Sequence, residues 1–182
     1  DRRSDSKYSM IEMFSVFGSP AFQPQLELKN VTVNIASGTS VYSLVSPHGG
    51  PGFNVKASNI TVNGNGKLDN YFENATSVVA QDCNFNMPSK CVASALGSFT
   101  ATRCNAQAGT TYFVNNTKDG ATVSVSNSNI NAQSLVNCRT APRQLTISGN
   151  NVAVSGSEAI TGISASQVNS STYKISGNTF KG

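Results

Sequence analysis

The sequence predicts an all-β fold, a single-stranded right-handed parallel β-helix (β-solenoid) of about seven coils. Three observations carry the prediction: one apolar pattern recurs along the chain, turn-forming residues recur at one place within it, and the composition favours strands. Charged residues are only 12% of 182, while Asn, Ser, Thr, Gly and Val abound. That mix suits strands and turns and leaves helices short of Leu, Glu, Lys and Ala. A chain of this length forms one domain around its own core.

The recurring pattern is apolar-x-apolar-x-x-x-(Asn or Thr)-apolar. It occurs in seven segments: LELKNVTV from Leu26, FNVKASNI from Phe53, VVAQDCNF from Val78, FTATRCNA from Phe99, VSVSNSNI from Val123, LTISGNNV from Leu145 and YKISGNTF from Tyr173. Their last apolar residues are spaced by 27, 25, 21, 24, 22 and 28 residues, a variation that belongs in loops. This register predicts an inward ladder of Leu28, Val55, Ala80, Ala101, Val125, Ile147 and Ile175. Alternation continues to Ile35, Val62, Met87, Ala108, Ala132 and Val154, which makes a second short strand. Further apolar stretches, around Val41 to Val45, Leu68 to Phe72, Tyr112 to Val114, Leu135 to Val136 and Ile160 to Ile163, supply a third.

The corner between the first two strands holds Asn30, Ala57, Asp82, Arg103, Asn127, Gly149 and Gly177. Asn, Asp and Gly tolerate the left-handed conformation of a sharp bend, so looser bends are expected at Ala57 and Arg103. Asn59, Asn84, Asn105, Asn129 and Asn151 are expected to stack as an amide ladder at about 4.8 Å per coil, a structural role. A β-sandwich would not repeat this register, and the flat Thr-x-Thr ranks of an ice-binding solenoid are missing.

The solenoid is assigned to residues 26–182. Residues 1–25, with YSMIEMFSVFG, are expected to form a partial coil or a cap, the strand-forming IEMFSVF favouring a coil. The chain opens on Asp1 rather than Met and stops at Gly182 soon after a second strand begins, which suggests a fragment or mature product with an open coil edge. Thirteen basic and nine acidic residues give a net charge of +4, spread along the chain, so no nucleic-acid partner is implied. No apolar run is long enough for membrane insertion.

The cysteines at 83, 91, 104 and 138 show no metal-ligand spacing, and no metal or cofactor is expected. Cys83 and Cys104 share a register position in consecutive coils and are expected to be buried and reduced. Sequons begin at Asn30, Asn59, Asn74, Asn115 and Asn169 and are read as structural in so Asn-rich a chain.

Glycoside hydrolysis needs two carboxylates, one to protonate the leaving oxygen and one to activate water or attack. If LDNYFE is a strand, Asp69, Tyr71 and Glu73 face outward with Leu68 and Phe72 inward, which holds Asp69 and Glu73 about 13 Å apart, too far for either hydrolytic mechanism unless the chain bends. Glu73 and Asp119, two coils on, are placed about 10 Å apart along the axis, near the separation an inverting enzyme uses. The candidate catalytic residues are therefore Glu73, Asp119 and Asp69. A lyase needs a base instead, with Arg139, Arg143, Lys118 and Lys90 as options. Outward tyrosines, from Tyr42, Tyr71 and Tyr112, offer an apolar face to sugar rings. Tyr71, Tyr112 and Arg139 are the candidate substrate-binding residues. His48, in PHGGPG, is assigned to a bend.

The cores SGNNV (148–152) and SGNTF (176–180) resemble the parallel β-helix repeat of the pectate-lyase-like superfamily, a likeness running from Leu26 to the C-terminus. Irregular coil lengths, free cysteines and richness in Asn and Ser make the chain most similar to bacteriophage tailspike shafts. The resemblance implies a homotrimer in the virion tail whose outer face recognises, and in some members depolymerises, bacterial surface polysaccharide. The other implied function is that of a secreted bacterial polysaccharide lyase or glycoside hydrolase.

Overall fold

The computed structural model describes residues 9–14, 24–48, 53–115, 117–138, 140, 142–161 and 172–182, without the side chains of 12–14, 47 and 48. Among them there is no helix, and every paired strand runs parallel to its neighbours. Parallel neighbours cannot be joined by a tight turn, so each connection must cross the molecule. Here the crossings are themselves strands, and the chain winds as a β-solenoid.

One sheet stacks seven strands: β2 (Gln25–Lys29), β5 (Asn54–Ser58), β8 (Ser77–Gln81), β11 (Ser98–Thr102), β13 (Thr122–Ser126), β15 (Gln144–Ser148) and β18 (Thr172–Ser176). The second sheet runs through β1 (Ser9–Phe14), β4 (Ser40–His48), β7 (Lys67–Glu73), β10 (Ser89–Ser94), β12 (Asn105–Asn115), β14 (Asn129–Asn137), β16 (Asn151–Val154) and β19 (Thr179–Lys181). The short strands β3 (Thr32–Ile35), β6 (Thr61–Gly64) and β9 (Asn84–Phe85) stack on β12, and β17 (Ile160–Thr161) pairs with β14. β1 lies parallel to β4, with Ser9 opposite Ser43.

Alternate residues of the seven-stranded sheet face the core in two columns. One is Leu26, Val55, Val78, Phe99, Val123, Leu145 and Tyr173; the other is Leu28, Ala57, Ala80, Ala101, Val125, Ile147 and Ile175. The expected ladder holds except in the second coil, where Ala57 replaces Val55. The segment from Phe53 was aligned two residues early. Phe53, Val55 and Ala57 alternate with polar residues, and a slip of two keeps every side chain on its face, so periodicity alone cannot choose. The true intervals after Val33 run 29 residues to Val62 and 23 to Phe85. Ile175, which no further described strand covers, is 51% exposed.

The corner decides the register. Asn30, Asn59, Asp82, Arg103, Asn127, Gly149 and Gly177 all have φ between 51° and 67°. The second corner is thus Asn59 and not Ala57, and Arg103 bends as sharply as the rest. The corners stack through backbone bonds, as from Asp82 N–H to the Thr102 carbonyl (3.0 Å) and from Arg103 N–H to that of Ser126 (3.1 Å). Arg103 reaches back to Asp82 with two bonds of 2.7 and 2.9 Å, and this pairing holds the exposed Asp82 carboxyl below its usual range. At Gly149 a Cβ would meet Asn127 Oδ1 at 2.5 Å, so any larger residue at this corner requires the Asn127 amide to shift.

Immediately after each corner, one residue turns inward: Val31, Ile60, Cys83, Cys104, Ser128, Asn150 and Asn178. From Cys104 onward each backbone N–H in this column points along the axis and donates to the next coil's side chain. Cys104 N bonds Ser128 Oγ (3.0 Å), Ser128 N bonds Asn150 Oδ1 (2.9 Å) and Asn150 N bonds Asn178 Oδ1 (3.0 Å). Ser128 donates its hydroxyl to the Ser126 carbonyl of its own coil (2.8 Å), whereas the cysteines and asparagines of the column donate back to the preceding coil. Cys83, Cys104, Asn150 and Asn178 reach the carbonyls of Ala57, Ala80, Val125 and Ile147 at 3.5, 3.5, 2.9 and 2.8 Å. Buried backbone groups need partners, and this polar column supplies them inside an apolar core. All four cysteines are buried and free.

Outside, Asn84, Asn105, Asn129 and Asn151 share a column, with Asn151 bonded to Asn129 at 3.1 Å. Asn59 belongs instead to the corner column and bonds Asn30 at 2.9 Å. Ala108, expected inward, is exposed: β12 carries two extra residues between Ala106 and Thr110, and Thr110 pairs with Ala132 in its place.

Candidate functional site

The outer surface is concave where the second sheet bends. In β4, β7, β10, β12 and β14 two consecutive residues are buried: Leu44 and Val45, Tyr71 and Phe72, Val92 and Ala93, Phe113 and Val114, Leu135 and Val136. A straight strand alternates, so a buried pair marks a change of direction. The residues before these pairs, Ser43, Asn70, Cys91, Tyr112 and Ser134, stack at the bend. Ser43 Oγ donates to the Val45 carbonyl at 2.8 Å, a local bond typical of turns.

On one side of the bend stand Tyr42, Asp69, Lys90 and Thr111; on the other stand Glu73, Ser94 and Asn115. Between them lies a trough of about 630 Å³ spanning four strands, β4, β7, β10 and β12, with Asn70, Cys91 and Tyr112 also in its lining. Lys90 Nζ sits 2.8 Å from Asp69 Oδ2, and that carboxylate raises the lysine's pKa. Tyr42 donates its hydroxyl to Glu73 Oε1 at 2.5 Å. Asn70 Nδ2 donates to the Tyr42 carbonyl at 3.4 Å. Burial pushes the Cys91 thiol up to about 11, so it is a neutral thiol at ordinary pH. One rim continues as a polar ladder, Asn137 Nδ2 to Asn115 Oδ1 at 2.9 Å and Thr161 Oγ1 to Asn137 Oδ1 at 2.6 Å.

Three residues chosen from the sequence meet in this trough: Asp69, Glu73 and Tyr112. Asp119 does not join them. It lies in the turn closed by the Ala121 N–H to Lys118 carbonyl bond (3.1 Å), exposed and outside the trough lining. Tyr71, expected outward, is fully buried, packed edge-on against Phe85 with centroids 4.7 Å apart. Its hydroxyl donates to the Met87 carbonyl (2.7 Å) and accepts from the Met87 N–H (3.0 Å), and burial raises its pKa. The bend at Asn70 breaks the alternation on which the outward assignment rested, and the phenol became a core strut. Arg139, Asn169 and the side chain of His48 lie outside the described residues.

Tyr42 and Lys90, weighed in the sequence only as a stacking surface and a base, are partners of Glu73 and Asp69. Asn70, Cys91, Ser94, Thr111 and Asn115 were not foreseen. Cross-coil register would have found them, because each sits one or two coils from a residue already chosen. The trough thus offers carboxylate, amide and hydroxyl groups that exchange hydrogen bonds with a polyol, and a phenol at either end. A second, smaller concavity of about 340 Å³ lies along the outward asparagines, between Asn105, Asn129, Asn151 and Lys181.

No protein-family model matches the chain, and no curated protein or solved structure is detectably similar to it.

Proposed function

We propose that the chain is part of a right-handed parallel β-helix of the pectate-lyase-like kind, in a bacteriophage tailspike that recognises bacterial surface polysaccharide in the outer trough. The single observation that carries this reading is the trough itself. It is long, open and lined by Tyr42, Asp69, Glu73, Lys90, Tyr112 and Asn115, a set suited to sugar hydroxyls and ring faces. Right-handedness follows the strong preference of crossover connections between parallel strands. Free, buried thiols agree with assembly in a reducing cytoplasm.

Asp69 and Glu73 in one trough favour a second reading, a secreted polysaccharide-degrading enzyme, since glycoside hydrolysis uses such a pair. The test is incubation with host capsule or lipopolysaccharide, measuring binding, new reducing ends and absorbance of unsaturated uronate. Binding lost in Tyr112→Ala and Asp69→Asn supports trough recognition. Retained binding in both variants refutes it, and product formation abolished by Glu73→Gln favours the enzyme. A homotrimer is expected for a tailspike; light scattering giving a monomer mass at micromolar concentration counts against it.

A further inference from the structure

We propose that the trough selects glycans carrying no acidic groups; this rests on reading the trough as a glycan site. The chain as a whole carries +4, yet the trough lining holds two carboxylates, Asp69 and Glu73, against one lysine. That lysine is committed. Lys90 Nζ lies 2.8 Å from Asp69 Oδ2, an ion pair across adjacent strands of the trough wall. Glu73 accepts from the Tyr42 hydroxyl, a neutral donor, so no cation of the lining offsets its charge.

The other described cations nearby stand outside the lining. Lys67 is exposed two residues before Asp69, and Lys118 Nζ rests 3.5 Å from the Asn74 carbonyl. A uronate, sialate or phosphate laid along the trough would meet Glu73 with like charge. It would gain a cation only by drawing Lys90 away from Asp69. Neutral sugars face no such exchange, because Ser94, Thr111, Tyr112 and Asn115 can bond hydroxyls as they stand. An unoffset like charge at close range in a solvated groove is worth roughly tenfold in affinity. β-Elimination requires an acidic sugar, so any cleavage in this trough is hydrolysis.

The experiment uses matched pairs, acidic polysaccharides such as pectate, alginate and hyaluronan beside their carboxyl-reduced derivatives, which differ only in carboxylate against hydroxymethyl. Titration calorimetry at low salt is expected to show a reduced derivative binding about tenfold more tightly than its parent. In Glu73→Gln the gap should shrink to about threefold with the thermal melt unchanged, and added salt should narrow it in the native protein. An acidic parent that binds as tightly as its derivative, or a gap that Glu73→Gln leaves intact, overturns the selectivity while leaving a glycan trough in place. Binding of neither series, or binding untouched by Tyr112→Ala and Asp69→Asn, removes the trough reading and the selectivity with it.

Discussion

Replacing Asn150 with alanine removes one rung of the polar column behind the corners. Asn150 is 1% exposed, and its amide accepts from Ser128 N–H (2.9 Å) while donating to the Val125 carbonyl (2.9 Å) and to Asn178 Oδ1 (2.9 Å). Alanine leaves the buried Ser128 N–H without a partner and removes the second donor to the Val125 carbonyl, which stays in the β13–β15 ladder. One stranded buried donor costs about 1–3 kcal/mol, a sizeable share of the stability of an ordinary domain. Asn150→Ser should recover most of this, because serine at Ser128 already accepts the N–H of Cys104 from this column position. Asn151→Ala, one residue on, gives up an exposed amide bond of 3.1 Å and should cost about 0.5 kcal/mol. The chain has no tryptophan, so unfolding in urea is followed by far-UV circular dichroism, and amide exchange at Ser128 gives a local readout. The reasoning fails if Asn150→Ala is as stable as Asn150→Ser, or if the outer alanine costs as much as the inner one.

Val125→Asp should prevent folding, since Val125 is fully buried and the new charge would have no partner; a cooperatively melting variant contradicts the register. Tyr71→Phe should lower stability by about 1–3 kcal/mol, by stranding the Met87 backbone groups, and Asp119→Asn should leave both stability and glycan binding unchanged. Denatured, non-reduced protein should yield four thiols to Ellman's reagent, whereas two would reveal a disulfide. Burial lifts Cys91 from 9.0 to about 11, so the folded state keeps its proton longer than the unfolded chain. The stability this thiol contributes is complete below pH 9 and lost as pH rises through 11, a decline that Cys91→Ala should flatten.

Period-two alternation and a recurring Asn or Gly were enough to identify the solenoid, and six of the seven repeat segments fall in the register they predict. The second was not, because Phe53, Val55 and Ala57 are interchangeable under a two-residue slip, and only the corner at Asn59, with φ of 52°, removes the degeneracy. The site was legible in part. Asp69 and Glu73 flank the bend and keep their outward positions, while Tyr71 between them is carried inward with Phe72. No local pattern announces that bend, since Asn70-Tyr71-Phe72 reads equally as a straight strand. Tyr42 and Lys90 become partners of Glu73 and Asp69 only across coils, a relation set by loop lengths of unequal size. Asp119 sits thirteen residues after Ala106, as Glu73 does after Ile60. The second coil, however, aligns on Val62 and is longer, so the register partner of Glu73 two coils on is Asn115, nine residues after Ala106.

The corner column makes the coil a unit that can be gained or lost whole. The corners Asn127 and Gly149 are spaced by 22 residues and share the same left-handed bend, each followed by an inward residue able to accept the N–H of the coil before it. Excising 128–149 would join Asn127 to Asn150, and Cys104 would meet an asparagine oxygen where it now meets a serine. Both interfaces would keep the kind of group they need. A single-residue deletion inside β13 would instead turn every following side chain of the strand to the opposite face. Lineages of this architecture are therefore expected to differ by entire turns rather than by scattered gaps. Coils beyond the trough are the ones free to vary in number, because the trough draws its walls from four strands at once.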